Sequence, residues 1–244
     1  MIKSDISSAA ADLRQKLNLA GPVSKDIFVD ILENHYEAYL FYYPLGQDKI
    51  SGFAKMQKGI KFIFINSSQA LGRQNFTLAH ELGHFELHQG RESWDIDGKN
   101  QTRERDADHF AACFLMPEEE CHDVFGDTKI FTDFDVLRFS QYYRVSFEDA
   151  RNRIATLFKN RLKSDKAEKV HDIVKKAQNL FPEQNFDYSL YEPSGEVREP
   201  VLKFTDKMKQ AYTEADISYG KLIELCQNRK MNPLELIDLW GQDH

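Results

Sequence analysis

The chain has 244 residues, 41% of them hydrophobic and 29% charged, enough apolar material for a cored catalytic domain with an appendage. Its 32 Lys and Arg against 39 Asp and Glu leave a net charge of −7, which argues against a nonspecific nucleic-acid binder. There is no apolar run of about 18 residues and no apolar leader after Met1-Ile2-Lys3-Ser4-Asp5, and Cys113, Cys121 and Cys226 are too scattered for a disulfide framework, so a soluble, unexported protein of the reducing cytoplasm is expected.

From the N-terminus, Ala10, Leu13 and Leu17, then Ile27, Phe28, Ile31 and Leu32, recur at helical spacing on either side of Gly21-Pro22. Three strand-like runs follow: Tyr39 to Tyr43, Ile50 to Met56 and Ile60 to Ile65. They are rich in aromatic and β-branched residues and are broken by Gly46-Gln47-Asp48 and Gln57-Lys58-Gly59. These predict a small antiparallel sheet, of which one strand near the next helix is expected to hold an extended peptide by backbone pairing.

That next helix carries the main chemical signal, His80-Glu81-Leu82-Gly83-His84. Two histidines at i and i+4 share a helix face and can pinch one zinc ion, while Glu81 stands beside the position left open to water. The bland alternative is a pair of surface histidines with no metal. Asn75 and Thr77 are plausible caps, and the absence of proline from Thr77 to His88 supports a helix despite Gly83. His88 is in register too, but residues eight apart on a helix stand about 12 Å apart along the axis, so it is read as a packing or hydrogen-bonding residue.

Gln89 to Arg103 is polar, with Gly90 and Gly98 as candidate hinges, and leads into a second helical stretch from Glu104 to Leu115, ended by Pro117. At about 100° per residue, Ala107, Ala111 and Leu115 lie within roughly 60° of Glu104, whereas Asp106 lies about 200° away. Glu104 is therefore the candidate third ligand, and Asp106 reads as a solvated charge. Asp108 fits two readings equally: a solvated charge, or a carboxylate that accepts the free ring N–H of a liganding histidine. His109, Cys121 and His122 read as exposed side chains, and Cys113 as a small buried one.

Arg73-x-x-Phe76-Thr77-x-Ala79-His80-Glu81-x-Gly83-His84, paired with Glu104-x-x-Ala107-Asp108-x-Phe110-Ala111-Ala112-x-Phe114-Leu115-Met116-Pro117, resembles the ImmA/IrrE metallopeptidases over roughly Ile2 to Leu162. The resemblance implies an α+β fold with a thermolysin-like minimal core and one zinc ion per chain on His80, His84 and Glu104, with Glu81 as the catalytic carboxylate. It also implies a substrate class: the family's best-known members cleave or inactivate helix-turn-helix repressors and so switch on mobile-element, phage or stress-response genes. Asp108 stands where the family often has Asn, and Phe114 where Leu is usual.

Beyond Pro117, Asp133 to Tyr143 and Phe147 to Phe158 are helical patterns, the second capped by Ser146 with Glu148 and Asp149 at its positive end. Helix, turn and capped helix, with Arg151 and Arg153, also fit DNA recognition. Because the family carries a similar pair in the protease body, direct nucleic-acid binding is not expected. A basic stretch from Lys159 to Lys176, a Pro- and Gly-containing connector from Pro182 to Pro200, and three short helices (Val201 to Tyr212, Tyr219 to Cys226, Pro233 to Trp240) complete the chain. The expected organisation is a metallopeptidase domain at residues 1–162 and a helical extension at 163–244 that binds substrate, senses a signal or simply caps the protease.

The reading that follows is a zinc endopeptidase that cleaves a helix-turn-helix repressor, its oxyanion stabiliser unassigned, with Tyr142, Tyr143 and Arg153 as candidates. The rivals are a non-proteolytic antirepressor that needs zinc only to fold and a regulator that binds DNA. Glu81 separates the first rival from the enzyme, because a purely structural zinc site has no use for a carboxylate there.

Overall fold

The computed structural model describes residues 2–47, 50–57, 59–88, 101–163, 169–183, 186–228 and 231–241. The candidate hinges Gly90 and Gly98 lie outside the described residues.

Helix α1 (Lys3–Lys16) buries Ile6, Ala10 and Leu13, and its Arg14 is itself buried. The Arg14 guanidinium donates to the carbonyls of Phe114 (2.8 Å) and Gly21 (2.7 Å), a strut a charged side chain makes only when its donors are met. Helix α2 (Lys25–Asp30), capped by Ser24, runs into a π-helical turn at Ile31–His35.

Three strands follow, β1 (Tyr39–Tyr43), β2 (Gly52–Gln57) and β3 (Ile60–Asn66), in the spatial order β1-β3-β2. The expected antiparallel sheet is half right. β2 and β3 form an antiparallel hairpin with Ala54 opposite Ile63, but β1 pairs with β3 in parallel, Leu40 opposite Ile63. The cause lies in the connections: the chain leaves β1 for the far side of the sheet, and the short hairpin return then inserts β3 between them, running the same way as β1. Alternation places Leu40, Tyr42, Ala54, Ile63 and Ile65 in the core, while Phe41, Phe64 and Phe53 stack on the other face with centroids 4.7 and 4.6 Å apart. Among the described residues β2 is an edge strand of the sheet, and it packs beside the helix that carries His80.

Helices α3 (Leu71–Leu87) and α4 (Gln101–Leu115) pack against each other and against α1. Around them stand α5 (Glu118–Phe125), α6 (Asp133–Tyr143) and α7 (Phe147–Leu157). Ser146 caps α7 by accepting from the Asp149 amide, and a capping box between Thr132 and Asp135 starts α6. The mixed α+β architecture expected for the chain is present.

The expected boundary at Leu162–Lys163 falls within the first of two compact units. The chain divides into compact units at Met1–Arg198 and Glu199–His244. Helix α8 (Val170–Leu180) and the 3-10 turn Tyr188–Tyr191 close over Leu137 of α6 with Ile173, Val174, Ala177, Leu190 and Tyr191, so burial carries the first unit past Leu162. The second unit, α9 (Val201–Thr213), α10 (Tyr219–Asn228) and α11 (Pro233–Gly241), has its own core of Met208, Leu222, Cys226 and Leu236.

Candidate metal centre and its cleft

Helix α3 begins earlier than its presumed caps. Its N-cap is Ala70, and Asn75 and Thr77 lie inside it, where Asn75 Nδ2 donates to the Arg144 carbonyl (2.8 Å) and Thr77 Oγ1 to that of Arg73 (2.9 Å). Leu78, Ala79, Leu82 and Phe85 are buried, which fixes the rotation of the helix and turns its polar stripe towards α4 and β2. Gly83 allows α4 to come close: a Cβ there would lie 2.9 Å from the Phe110 ring. Gly52 does the same for β2, since a Cβ would lie 2.7 Å from Thr77 Cγ2 and 2.6 Å from the Phe64 carbonyl oxygen.

On this frame three side chains converge. His80 Nε2 and His84 Nε2 are 3.1 Å apart; Glu104 Oε2 lies 3.2 Å from the first and Oε1 lies 3.4 Å from the second. The three could together hold a metal ion. Asp108, the residue the helical wheel left open, stands with Oδ1 2.8 Å from His80 Nδ1, though its side chain is more than half exposed. His88 stays outside, its ring centroid 5.6 Å from that of His84.

The electrostatics favour positive charge at the point of convergence. Burial disfavours the His80 imidazolium, but the Asp108 and Glu104 carboxylates outweigh it and lift this ring to about 10. Burial and the neighbouring His80 hold His84 down, to about 4, and the His80 hydrogen bond holds the Glu104 carboxyl below the usual carboxylate range. Glu81 is buried, and desolvation pushes its carboxyl up to about 7 against the pull of His80 and of the Ala54 amide that donates to it.

These groups open into a cleft of about 270 Å³ between α3 and the start of β2, with Arg73, Phe76 and Thr77 on the helix side and Ser51 and Gly52 on the strand side. None of the three oxyanion candidates lines it. Arg153 is buried and donates Nε to the Met116 carbonyl (2.9 Å), Tyr143 is buried against Phe139, and Tyr142 lines a different cleft with Phe125 and Arg138. Arg73, which sequence reasoning treated only as a motif letter, does line the cleft; its spacing of seven from His80 was the available signal, because residues seven apart share a helix face. Two further expectations change. Cys121 is fully buried in the main core, although His122 beside it is exposed, and His109 is half-buried, with Nε2 3.2 Å from Ser7 Oγ and 3.8 Å from Cys113 Sγ.

Residues 34–155, half of the chain, match the profile of the M78 peptidases, described as the IrrE N-terminal-like domain. The chain belongs to this family. Two curated relatives, both named HTH-type transcriptional regulator RamB and coming from Mycobacterium tuberculosis strains CDC 1551 / Oshkosh and ATCC 25618 / H37Rv, are each 32% identical over 100 residues. That match covers 38% of this chain and 20% of theirs, so the chain spans about a fifth of the length of these relatives. A solved structure titled Mycobacterium tuberculosis transcriptional regulator matches with a TM-score of 0.50 at 16% identity, over 64% of this chain and 48% of that one. At that identity the likeness concerns the fold. Among the described residues, no helix is long and apolar enough to cross a membrane.

Proposed function

We propose that this family member is a zinc-dependent endopeptidase with a thermolysin-like arrangement: ligands His80, His84 and Glu104, general base Glu81, and Asp108 as the carboxylate that orients His80. The observation that carries this reading is the convergence of three residues beside a buried carboxylate: the two imidazole Nε2 atoms stand 3.1 Å apart, and the Glu104 carboxylate sets Oε2 3.2 Å from His80 and Oε1 3.4 Å from His84. Donors about 2.0–2.1 Å from one tetrahedral ion stand roughly 3.3 Å apart, so these separations fit two imidazoles and one carboxylate that would hold a single ion. With Nδ1–H donating to Asp108, His80 would offer its Nε2 lone pair to a bound ion.

Bound zinc would supply Lewis acidity, bringing its water towards neutrality and polarising the scissile carbonyl. Glu81 would serve as the base that takes a proton from the attacking water and later passes it to the leaving amine. The Ala54 amide holds the Glu81 carboxylate towards the cleft while burial raises its basicity. The open edge of β2 pairs with an extended substrate backbone beside α3.

The substrate we propose is one cytoplasmic helix-turn-helix repressor, cleaved to relieve repression of phage, mobile-element or stress-response genes. The family resemblance supports it, and so do the transcriptional-regulator names of the relatives. The helices beyond Leu162, and the second unit above all, supply the docking that restricts cleavage to that partner. The test is to incubate the zinc-loaded protein with the repressor-like product of a neighbouring gene and to identify fragments by mass spectrometry, with Glu81→Gln alongside. One defined cut that needs both zinc and Glu81 is expected. Derepression without any cut would replace the reading with a non-proteolytic antirepressor.

A further inference from the structure

We propose that Arg73 forms a carboxylate-binding subsite in the cleft, so that the enzyme selects an Asp or Glu side chain about three residues from the scissile bond. This rests on the proteolytic reading above and adds the chemistry of what is recognised.

The argument begins with helix geometry. Arg73 lies seven residues before His80, which returns it to within about 20° of the same face of α3 and sets it roughly 10 Å further along the axis. Strand β2 accompanies the helix over that distance: the Ala54 amide reaches Glu81, Gly52 presses on Thr77, and Ser51 lines the cleft with Arg73. The cleft is thus a channel from the metal centre to the guanidinium, walled by a helix on one side and an open strand edge on the other. An extended peptide advances about 3.3 Å per residue, so a chain with its reacting carbonyl at Glu81 brings the side chain roughly three residues away to Arg73.

Charge decides what that side chain is. Glu81, Glu104 and Asp108 line the channel, and among the described residues Arg73 is its only guanidinium or ammonium group. The guanidinium is set for recognition rather than closed off. Its carbon sits 5.5 Å from the centroid of the Phe76 ring, which fixes the plane of the fork. One nitrogen, Nη1, reaches Asp149 Oδ1 at 3.4 Å, a long single contact, and that carboxylate already takes the Ser146 hydroxyl at 2.5 Å. The side chain is 45% exposed and lines the cleft, so a carboxylate that enters there can meet two donors of the fork in parallel. Asp149 and Phe76 then act as supports that hold the fork in place. The competing structural reading is a clip between α3 and α7; Asp149 is buried, but the contact is a single one of 3.4 Å from a half-exposed Arg73, which makes it a weak clip.

The experiment uses the full-length, zinc-loaded protein and a library of extended peptides built around the mapped cut, varying one position at a time. Cleavage is expected to favour Asp or Glu at one position two to four residues from the cut. Arg73→Ala should raise KM for the acidic peptides by roughly 10- to 100-fold with kcat and Tm little changed, as loss of a charged hydrogen-bonding pair does. Arg73→Glu should move the preference to Lys or Arg. A second readout needs no turnover: in Glu81→Gln protein, an acidic fluorescent peptide should bind tightly by anisotropy, and addition of Arg73→Ala should weaken that binding by the same factor. Cleavage indifferent to charge throughout that window would overturn the proposal. So would an Arg73→Ala variant that loses kcat on acidic and neutral peptides alike, or loses stability alone. If wild type cuts no peptide and no repressor, the proteolytic reading fails, while the anisotropy comparison still decides the subsite.

Discussion

Two helix pairs, α3 with α4 and α6 with α7, both bury polar side chains, and they do so to opposite ends. In α6 and α7 three buried groups have fixed partners of the fold: Ser140 Oγ donates to the Val145 carbonyl at 2.8 Å, Arg153 Nε to that of Met116 at 2.9 Å, and Asp149 accepts the Ser146 hydroxyl. In α3 and α4, His80, His84 and Glu104 instead point at one another, three acceptor-bearing groups on one spot. Polar burial met by backbone is a strut, whereas two imidazoles and a carboxylate that converge on one point make a place that could hold a metal ion. Of the two arginines that fit a DNA reading of α7, Arg153 is buried and donates to the Met116 carbonyl.

The largest effect that tests this contrast is on catalysis. Glu81→Gln should lower cleavage by about 100-fold or more, because a neutral amide is no general base, with zinc content and melting temperature retained. Arg153→Met should do the reverse: it strands the Met116 carbonyl, costs about 1–3 kcal/mol in denaturant unfolding, and leaves turnover per folded molecule unchanged. If the glutamine variant unfolds, or the Arg153 variant folds normally and loses turnover, the assignment of the two pairs is inverted.

Metal affinity gives the next step down. Glu104→Ala should lose zinc severely in a chelator competition, Asp108→Ala should lose roughly 10- to 100-fold, and Asp106→Ala should be near neutral. An Asp106 variant more damaging than the other two would contradict the face that α4 presents to α3.

Truncation follows. A chain ending at Arg198 should keep its zinc and its main unfolding transition yet cleave the regulator more slowly, because the unit removed has a core of its own. A chain ending at Leu162 strips the cover from Leu137 and should lose at least the roughly 2 kcal/mol that exposing one buried leucine costs. Equal stability of the two truncations would return the boundary to Leu162.

These comparisons also mark what could be read from residues alone. Period 3.6 places His80, His84, Glu104 and Asp108 on facing stripes, and the motif supplies the chemistry, so the cluster was visible before any fold. The bounds of α6 and α7 were visible too, because Ser146 and the acidic starts are local signals. The parallel pairing of β1 with β3 was not, since strand direction depends on where a connection crosses the sheet. Nor was the continuation of the first unit to Arg198, which depends on α8 finding Leu137, or the burial of Cys121, which depends on the faces α5 turns to the core. Arg73 was in plain view at spacing seven, but only the cleft gives that spacing a meaning.

The smallest expected effects concern two glycines of α3, and they sharpen the contrast most finely. Each Gly→Ala change should gain up to about 1 kcal/mol of helix propensity, so the sign depends on what the new methyl meets. At Gly72 it meets backbone, with Ser146 N and the Val145 carbonyl carbon both 2.7 Å away, at the turn that joins α6 to α7. Backbone cannot rotate aside, and a net loss of about 1–2 kcal/mol is expected, with zinc affinity preserved. At Gly83 the methyl meets the Phe110 side chain at 2.9 Å, and Phe110 belongs to the helix that carries Glu104. Relief there comes from α4 moving away, which draws Glu104 from the two histidines. Gly83→Ala should therefore change stability by less than about 1 kcal/mol while weakening zinc by a larger factor than Gly72→Ala does. Denaturant titration and chelator competition on the same two variants check both halves, and a Gly83 variant that loses stability but not zinc would mean that the approach of α4 to α3 is a matter of packing alone.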